Sequence, residues 1–248
     1  MTFRIAGISF DHMHMGDLLR MVHEHPDAEI TALYDPNRAK MQGAIDTFNV
    51  PENRVFTDLD ACLAAGPYDM ALLCVATAEH ACMTERLAPH DMHIFVEKPF
   101  AASAADARRM MTVMEGTGRQ LAINWPLRWV ESHVTAKRLI DEGLIGELHE
   151  VHFYNGNRGP LWHGADKQEV TPQEVERLKP DAWWYKKASG GGALLDYLGY
   201  GATLGTWYMN GKSPIEVTCT VDEAPEIEVD EHAIAVLRYK NGLSRMET

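Results

Sequence analysis

The chain has 248 residues, 46% of them hydrophobic and 24% charged, and a formal net charge of −13. This composition excludes disordered and collagen-like classes and gives enough length for one large domain or two smaller ones. The acidic balance, with scattered Lys and Arg, argues against a nucleic-acid partner, and no apolar run approaches the roughly 18 residues of a membrane-spanning helix.

Met1-Thr2-Phe3-Arg4-Ile5-Ala6-Gly7 enters a strand directly, without a charged and apolar leader, so a cytoplasmic setting is expected. From there short β-rich runs alternate with amphipathic stretches. Strands are predicted over 3–8, 29–34, 70–76, 93–96 and 120–124, and helices over 16–25, 36–48, 59–65, 79–89 and 103–115. Ser103 followed by Asp106 suits a helix start, and Pro36 suits a first turn. Alternating β and α elements imply a parallel sheet, and hence an α/β domain over 1–124.

The pattern changes after Asn124. A helix is predicted over 132–142, ending at Gly143, and a half-buried strand over 147–154. The stretch 155–189 holds Trp162, Trp183 and Trp184 among polar residues and contains a helix start at Thr171-Pro172-Gln173-Glu174. A strand over 232–239 meets the turn dipeptide Asn241-Gly242, and a returning strand runs to Thr248. These elements form a second, α+β domain over 125–248, whose sheet is expected to be completed by further sequence or by another subunit. The four cysteines make no C-x-x-C pair and read as reduced, structural residues.

Open α/β sheets bind ligands beyond the carboxyl ends of their strands. The first such loop is Gly7-Ile8-Ser9-Phe10-Asp11-His12-Met13-His14-Met15-Gly16, in which Ser9 and His12 stand where a dinucleotide turn has its later glycines. A phosphate needs mainly main-chain N–H groups at a helix start, so the loop remains a dinucleotide candidate. His12 and His14 with Asp11 would ligate a metal only if a third region contributed, and no metal is expected; His14, His23 and His25 read as helix-face residues. Asp35 is placed to bond the ribose hydroxyls of NAD and Arg38 to meet the extra phosphate of NADP, with NAD preferred. Thr77 and His80, Glu97-Lys98-Pro99, and Asn124 with Trp125 follow the remaining strand ends. Lys98 holds an ammonium where it can polarise a substrate oxygen, although a structural salt bridge is the plainer reading of that triplet alone.

Gly190-Gly191-Gly192 open a helix on which Asp196 and Tyr200, four residues apart, share a face. Hydride transfer to a carbonyl needs a proton donor, which a phenol supplies; a buried hydrogen-bonded pair is the alternative. Trp125, Arg128 and Trp129 are candidate cleft residues, and Trp162, His163, Trp183 and Tyr185 candidate sugar-facing groups, since aromatic faces stack on apolar ring faces.

Gly7, Asp35, Glu97-Lys98-Pro99, Asp141-Glu142-Gly143-Leu144-Ile145-Gly146 and the stretch 190–200, in this order, resemble the Gfo/Idh/MocA oxidoreductase family over essentially the whole chain. The resemblance implies a Rossmann domain, a second domain on a largely antiparallel sheet, an active site between them, and oxidation or reduction of sugars, polyols or cyclic alcohols with NAD or NADP. It implies catalytic roles for Lys98, Asp196 and Tyr200, with Gly7, Ser9, His12, Asp35, Arg38, Thr77, His80, Glu97, Lys98 and Asn124 at the cofactor and Trp125, Arg128 and Trp162 toward substrate. Tyr200 stands where many members carry His, and members similar to dihydrodiol dehydrogenase carry Tyr. The later strands usual in the family are missing, and a homodimer or homotetramer through the second sheet is expected. The altered loop and absent His motivate an alternative, a catalytically silent dinucleotide- or sugar-binding sensor.

Overall fold

The computed structural model describes residues 1–156, 158–162, 170–222 and 227–248. The chain falls into two compact units, the first over 1–124 and the second over 125–162 with 170–248.

The first unit runs β1 (Phe3–Ile8), α1 (His14–Glu24), β2 (Ala28–Tyr34), α2 (Arg38–Phe48), β3 (Val55–Phe56), α3 (Leu59–Ala64), β4 (Met70–Leu73), α4 (His80–Leu87), β5 (His93–Glu97), α5 (Ala104–Glu115) and β6 (Leu121–Asn124). All six strands are parallel, in the order β3-β2-β1-β4-β5-β6. The expected doubly wound α/β sheet is therefore present, and its order reverses between β1 and β4. Alternation along the strands sends successive side chains to opposite layers. Ile5, Leu33 and Leu72 pack with Met15, Leu18 and Leu19 of α1 and Met41 of α2, whereas Ala6, Ile8, Leu73 and Val96 pack with residues of α3, α4 and α5.

Local chemistry sets the helix starts. The Asn37 side chain accepts from the Ala39 N–H, Asp58 from Ala61 and Ser103 from Asp106, each satisfying an otherwise unpaired first-turn donor. In α1 the buried residues Met15, Leu18, Leu19 and Val22 follow the spacing of one helix face. Strand β3 escapes the sequence pattern because it is two residues long, paired to Leu33 and Tyr34.

The second unit runs α6 (Glu131–Asp141), β7 (Glu150–Tyr154), α7 (Pro172–Leu178), α8 (Ala193–Asp196), α9 (Leu198–Tyr208), β8 (Glu216–Val221), β9 (Ala233–Tyr239) and β10 (Gly242–Glu247). Its sheet has the order β7-β10-β9-β8, parallel between β7 and β10 and antiparallel elsewhere. Helix α9 covers one face, where Leu198 packs with Val151, Ala235, Leu237 and Met246. The close approach depends on glycine: a Cβ on Gly201 would lie 2.8 Å from Phe153 and 2.9 Å from Met246.

Three details differ from expectation. The helix predicted through Asp196 and Tyr200 is broken at Tyr197 into α8 and α9, so the two residues do not share one continuous helical face. The hairpin pairs Tyr239 with Gly242, which puts Lys240 and Asn241 at the turn. Gly242 instead serves a close approach, because a Cβ there would stand 2.7 Å from the His149 carbonyl. Strand β8 was not expected, although its Glu-Val-Thr-Cys-Thr-Val sequence alternates polar and apolar; every one of its residues is exposed. Of the four free cysteines, Cys62 and Cys74 are buried as expected of structural residues, while Cys82 and Cys219 are exposed. Among the described residues no helix is long and apolar enough to cross a membrane.

Candidate active site

In the first unit, the carboxyl ends of β1, β5 and β6 bring four predicted residues together with one that was read as an ordinary helix residue. Glu97, at the end of β5, is fully buried, and its Oε2 accepts from Asn124 Nδ2 at 2.8 Å. Its Oε1 accepts from His14 Nδ1 at 2.9 Å across 83 residues of sequence. Burial pushes the Glu97 carboxyl up, but the His14 hydrogen bond, the neighbouring imidazoles and Asn124 outweigh it, and the net shift is downward. His12 is buried, and desolvation draws its imidazole down to about 3 against the pull of Glu97, so the ring is neutral at ordinary pH. Its Nδ1 accepts the main-chain N–H of His14 at 3.2 Å. Lys98 is 3% exposed and directly follows this buried carboxylate.

The β1–α1 loop is tied down from several sides. Gly7 lies under α1, where a Cβ would come within 3.2–3.3 Å of Leu33, Leu19 and Met15. Ser9 takes the left-handed conformation, φ +64°, at the place of the second glycine. Its hydroxyl donates to Asp11 Oδ2 at 3.1 Å, and the other Asp11 oxygen is ion-paired to Lys40. Lys40 is the first-unit participant that sequence reasoning missed; Asp11 and His14 were weighed only as conditional metal ligands, and their partners Lys40 and Glu97 come from other elements.

Several of the expected cofactor residues have partners within the chain. Asp35 is fully buried, and its two oxygens accept from the main-chain N–H groups of Phe10 and Asn37, both at 2.8 Å. It braces the β1–α1 loop against the start of α2. The exposed Arg38 guanidinium is held by Glu52 and by Gln42, each at 2.7 Å. Thr77 is 2% exposed. His80 is equally enclosed, and both ring nitrogens lie 3.1 Å from carbonyl oxygens, those of Phe100 and Val75. It fastens the segment after Lys98-Pro99 to the end of β4, and burial lowers its pKa despite those two carbonyls.

In the second unit, Gly190-Gly191-Gly192 packs against the 183–185 turn. A Cβ on Gly191 would run into the Trp184 carbonyl, and Gly190 and Gly192 have φ of +75° and +108°. The Asp230 carboxylate accepts the Leu194 N–H and its carbonyl the Ala193 N–H, which completes the start of α8. Asp196, at the end of α8, is 7% exposed and lines a cavity of about 320 Å³. Tyr154, Arg158, Trp184, Tyr185 and Tyr197 also line it, as do Asp230, Glu231 and Glu247. Only Asp196 and Tyr185 among these were singled out as ligand-facing from sequence; the rest lie at element ends that the fold alone brings together.

Tyr200 lies in the first turn of α9, with its ring edge-on to Trp125 at 5.4 Å. Arg128 is stacked 3.8 Å from the centre of the Trp207 ring, beside Trp129. Trp162 carries the Arg158 guanidinium over its face at 3.8 Å. His163 lies outside the described residues.

A dinucleotide suits the first unit's scaffold: the strand order reverses beside β1, Gly7 allows α1 to pack closely, and Ser9 reproduces the glycine conformation. The Asp11 carboxylate adds a negative charge to the loop, which Lys40 offsets.

Two family models match the chain. One, described as an oxidoreductase family with an NAD-binding Rossmann fold, matches residues 3–125, and the GFO/IDH/MocA C-terminal domain matches 133–245. Among curated relatives, D-apiose dehydrogenase of Rhizobium rhizogenes is 30% identical over 113 residues, covering 46% of this chain and 32% of that protein. Inositol 2-dehydrogenase of Salmonella typhimurium is 23% identical over 178 residues, covering 71% of this chain and 51% of its own length. The matched part thus spans no more than about half of these relatives. Among solved structures, GenD2 from gentamicin A biosynthesis, in complex with NAD, has a TM-score of 0.84 at 19% identity, covering 99% of this chain and 65% of that one. The WlbA dehydrogenase of Bordetella pertussis, in complex with NADH and UDP-GlcNAcA, has a TM-score of 0.83 at 20% identity, covering 100% and 71%. At these identities the structural likeness speaks to the fold.

Proposed function

The chain belongs to the Gfo/Idh/MocA oxidoreductase family, and from that premise we propose that it transfers a hydride between a nicotinamide dinucleotide and a sugar, polyol or cyclic alcohol. The observation that carries this reading is the Glu97-Lys98-Pro99 corner. It puts a buried ammonium next to a buried, hydrogen-bonded carboxylate at the carboxyl end of a parallel strand, where ligands of such sheets bind. The dinucleotide, when bound, carries the hydride. Lys98 polarises the reacting oxygen, Tyr200 exchanges the proton, and Asp196 orients the substrate. Glu97, Asn124, Gly7 and Ser9 shape the cofactor side, and Lys40 supplies the positive charge near the phosphates that the sequence pattern assigned to Arg38. Asp35 and His80 act by holding loops, so the preference for NAD over NADP rests on no side chain yet identified.

The second-unit cavity refines the substrate class. Asp196, Asp230, Glu231 and Glu247 outnumber Arg158 on its wall, while Trp184 and Tyr185 offer ring faces. Neutral polyhydroxy compounds suit such a lining better than sugar acids do. The reading extends to a cytoplasmic homo-oligomer, a dimer or tetramer through the second sheet, on whose edge Ile215, Val217 and Val221 are exposed; sedimentation velocity tests it.

Replacing Lys98 with Met should cut kcat by about 10²–10³ while leaving circular dichroism unchanged, on the scale of losing one electrostatic stabiliser. An unchanged kcat would refute the role. One observation favours a second reading, a catalytically silent binding protein: an anionic Asp11 sits within the loop expected to hold phosphates. Tyr200→Phe separates the two, because an enzyme loses rate and a sensor loses at most some affinity.

A further inference from the structure

Sequence reasoning set a condition on His12 and His14, that a third region must join them before they could ligate a metal. The fold supplies that region. Among the described residues, His12, His14 and Glu97 form a cluster whose donor atoms all lie within 4.8 Å of one another. We propose that these three residues bind one divalent first-row transition cation, such as zinc or cobalt, at the carboxyl ends of β1 and β5.

The donor set is two imidazoles and one carboxylate. Such borderline ligands suit zinc, cobalt, nickel or iron(II) rather than calcium or magnesium, which prefer all-oxygen shells. Metal bonds of about 2.0–2.1 Å put adjacent donors roughly 2.8–3.4 Å apart, and the His14 Nδ1 to Glu97 Oε1 separation of 2.9 Å falls in that range. A cation entering there replaces the proton they now share. Ligation through His12 Nδ1 would exchange its 3.2 Å bond to the His14 N–H, at the long end of hydrogen-bond lengths, for the bond to the metal.

The surroundings are built as those of metal ligands usually are. Glu97 is fully buried and its second oxygen is fixed by Asn124 Nδ2 at 2.8 Å, so the first oxygen is aimed. His14 is half-exposed, with 32% of its side chain accessible, which gives a cation a way in and a coordination position for water. The loop geometry explains why the sequence alone does not show the site: the ligands are two residues apart on one side and 83 residues away on the other.

This site shares Glu97 and the β1–α1 loop with the proposed cofactor side but does not depend on the dehydrogenase reading, and its test uses no nucleotide. The purified full chain, stripped with chelator, is titrated with cobalt(II) by calorimetry and visible absorption. The expected result is about one equivalent with ligand-field bands, at least tenfold weaker in His14→Ala and in Glu97→Gln, and unchanged in His90→Ala, an exposed histidine elsewhere on the unit. His14→Ala alters a half-exposed helix start and should keep the fold, so it decides the matter should Glu97→Gln fail to fold. No saturable binding, or binding equal in wild type and His14→Ala, the mark of an adventitious ion only, would overturn the proposal. NADH binding measured on the same samples keeps this outcome distinct from failure of the oxidoreductase reading.

Discussion

Asp35→Ala distinguishes a loop brace from a ribose-binding carboxylate. Asp35 is fully buried, with the Phe10 and Asn37 N–H groups each donating to one of its oxygens at 2.8 Å. Hydrogen bonds to a charged group contribute about 1.5–3 kcal/mol each, and truncation leaves both donors without a partner. Allowing for relaxation and water entry, the substitution should cost the first unit about 3–5 kcal/mol, a large share of a typical 5–15 kcal/mol stability. Asp35→Asn keeps one acceptor and should cost about half as much. All six tryptophans lie beyond residue 124, so Trp fluorescence reports on the second unit. Urea unfolding followed by far-ultraviolet circular dichroism, with hydrogen exchange at the Phe10 and Asn37 amides, reports on the first. A loss below about 1 kcal/mol with unaltered exchange at those amides, together with a large fall in NADH affinity, would refute the brace and restore the ribose role.

Gly191→Ala should abolish or severely destabilise folding, because its Cβ would run into the Trp184 carbonyl and stand 2.9 Å from that of Trp183. Gly143→Ala, at φ +73° with open space around it, should cost only about 1–2 kcal/mol of backbone strain; thermal unfolding ranks the pair. Stability should fall on acidification below about pH 6.5. The folded pKa values of His12 and His80 lie below the ordinary 6.5, so below that value the unfolded chain binds more protons than the folded one, and for His12 this holds down to about 3. The stability these neutral rings contribute is complete above the unfolded pKa and is lost as pH falls, at about 1.4 kcal/mol per pH unit for each proton. His12→Gln should flatten that slope in a urea series from pH 7 to 4, and an unchanged slope would contradict the assignment.

The Rossmann order was legible because short apolar strands alternate with amphipathic helices, three of which start at side-chain caps, Asn37, Asp58 and Ser103. In the second unit the signal weakens. Strand β8 reads Glu-Val-Thr-Cys-Thr-Val, an alternation that the sequence reading passed over, and neither of its faces is buried. The break at Tyr197 is equally silent in sequence, since Asp196 and Leu198 both suit a helix. Site residues were legible where one motif holds them, as in Glu97-Lys98-Pro99 and Gly190-Gly191-Gly192. They were illegible where partners come from distant elements, as for His14 with Glu97, Asp11 with Lys40, and the cavity residues Arg158 and Glu247. Asp35 shows a third case: the carboxylate follows its strand as expected, and its main-chain partners, the Phe10 and Asn37 N–H groups, were not legible from its position alone.

The central claim, a dinucleotide-dependent oxidoreductase, is tested most directly by calorimetric titration of the purified, folded chain with NADH and with NADPH. The account predicts saturable binding of one nucleotide per chain, weakened when Lys40 is replaced by Ala. Absence of binding to either nucleotide would contradict it, and the β1–α1 loop with its inward Asp35 and paired Asp11 would then belong to a protein that has given up the cofactor.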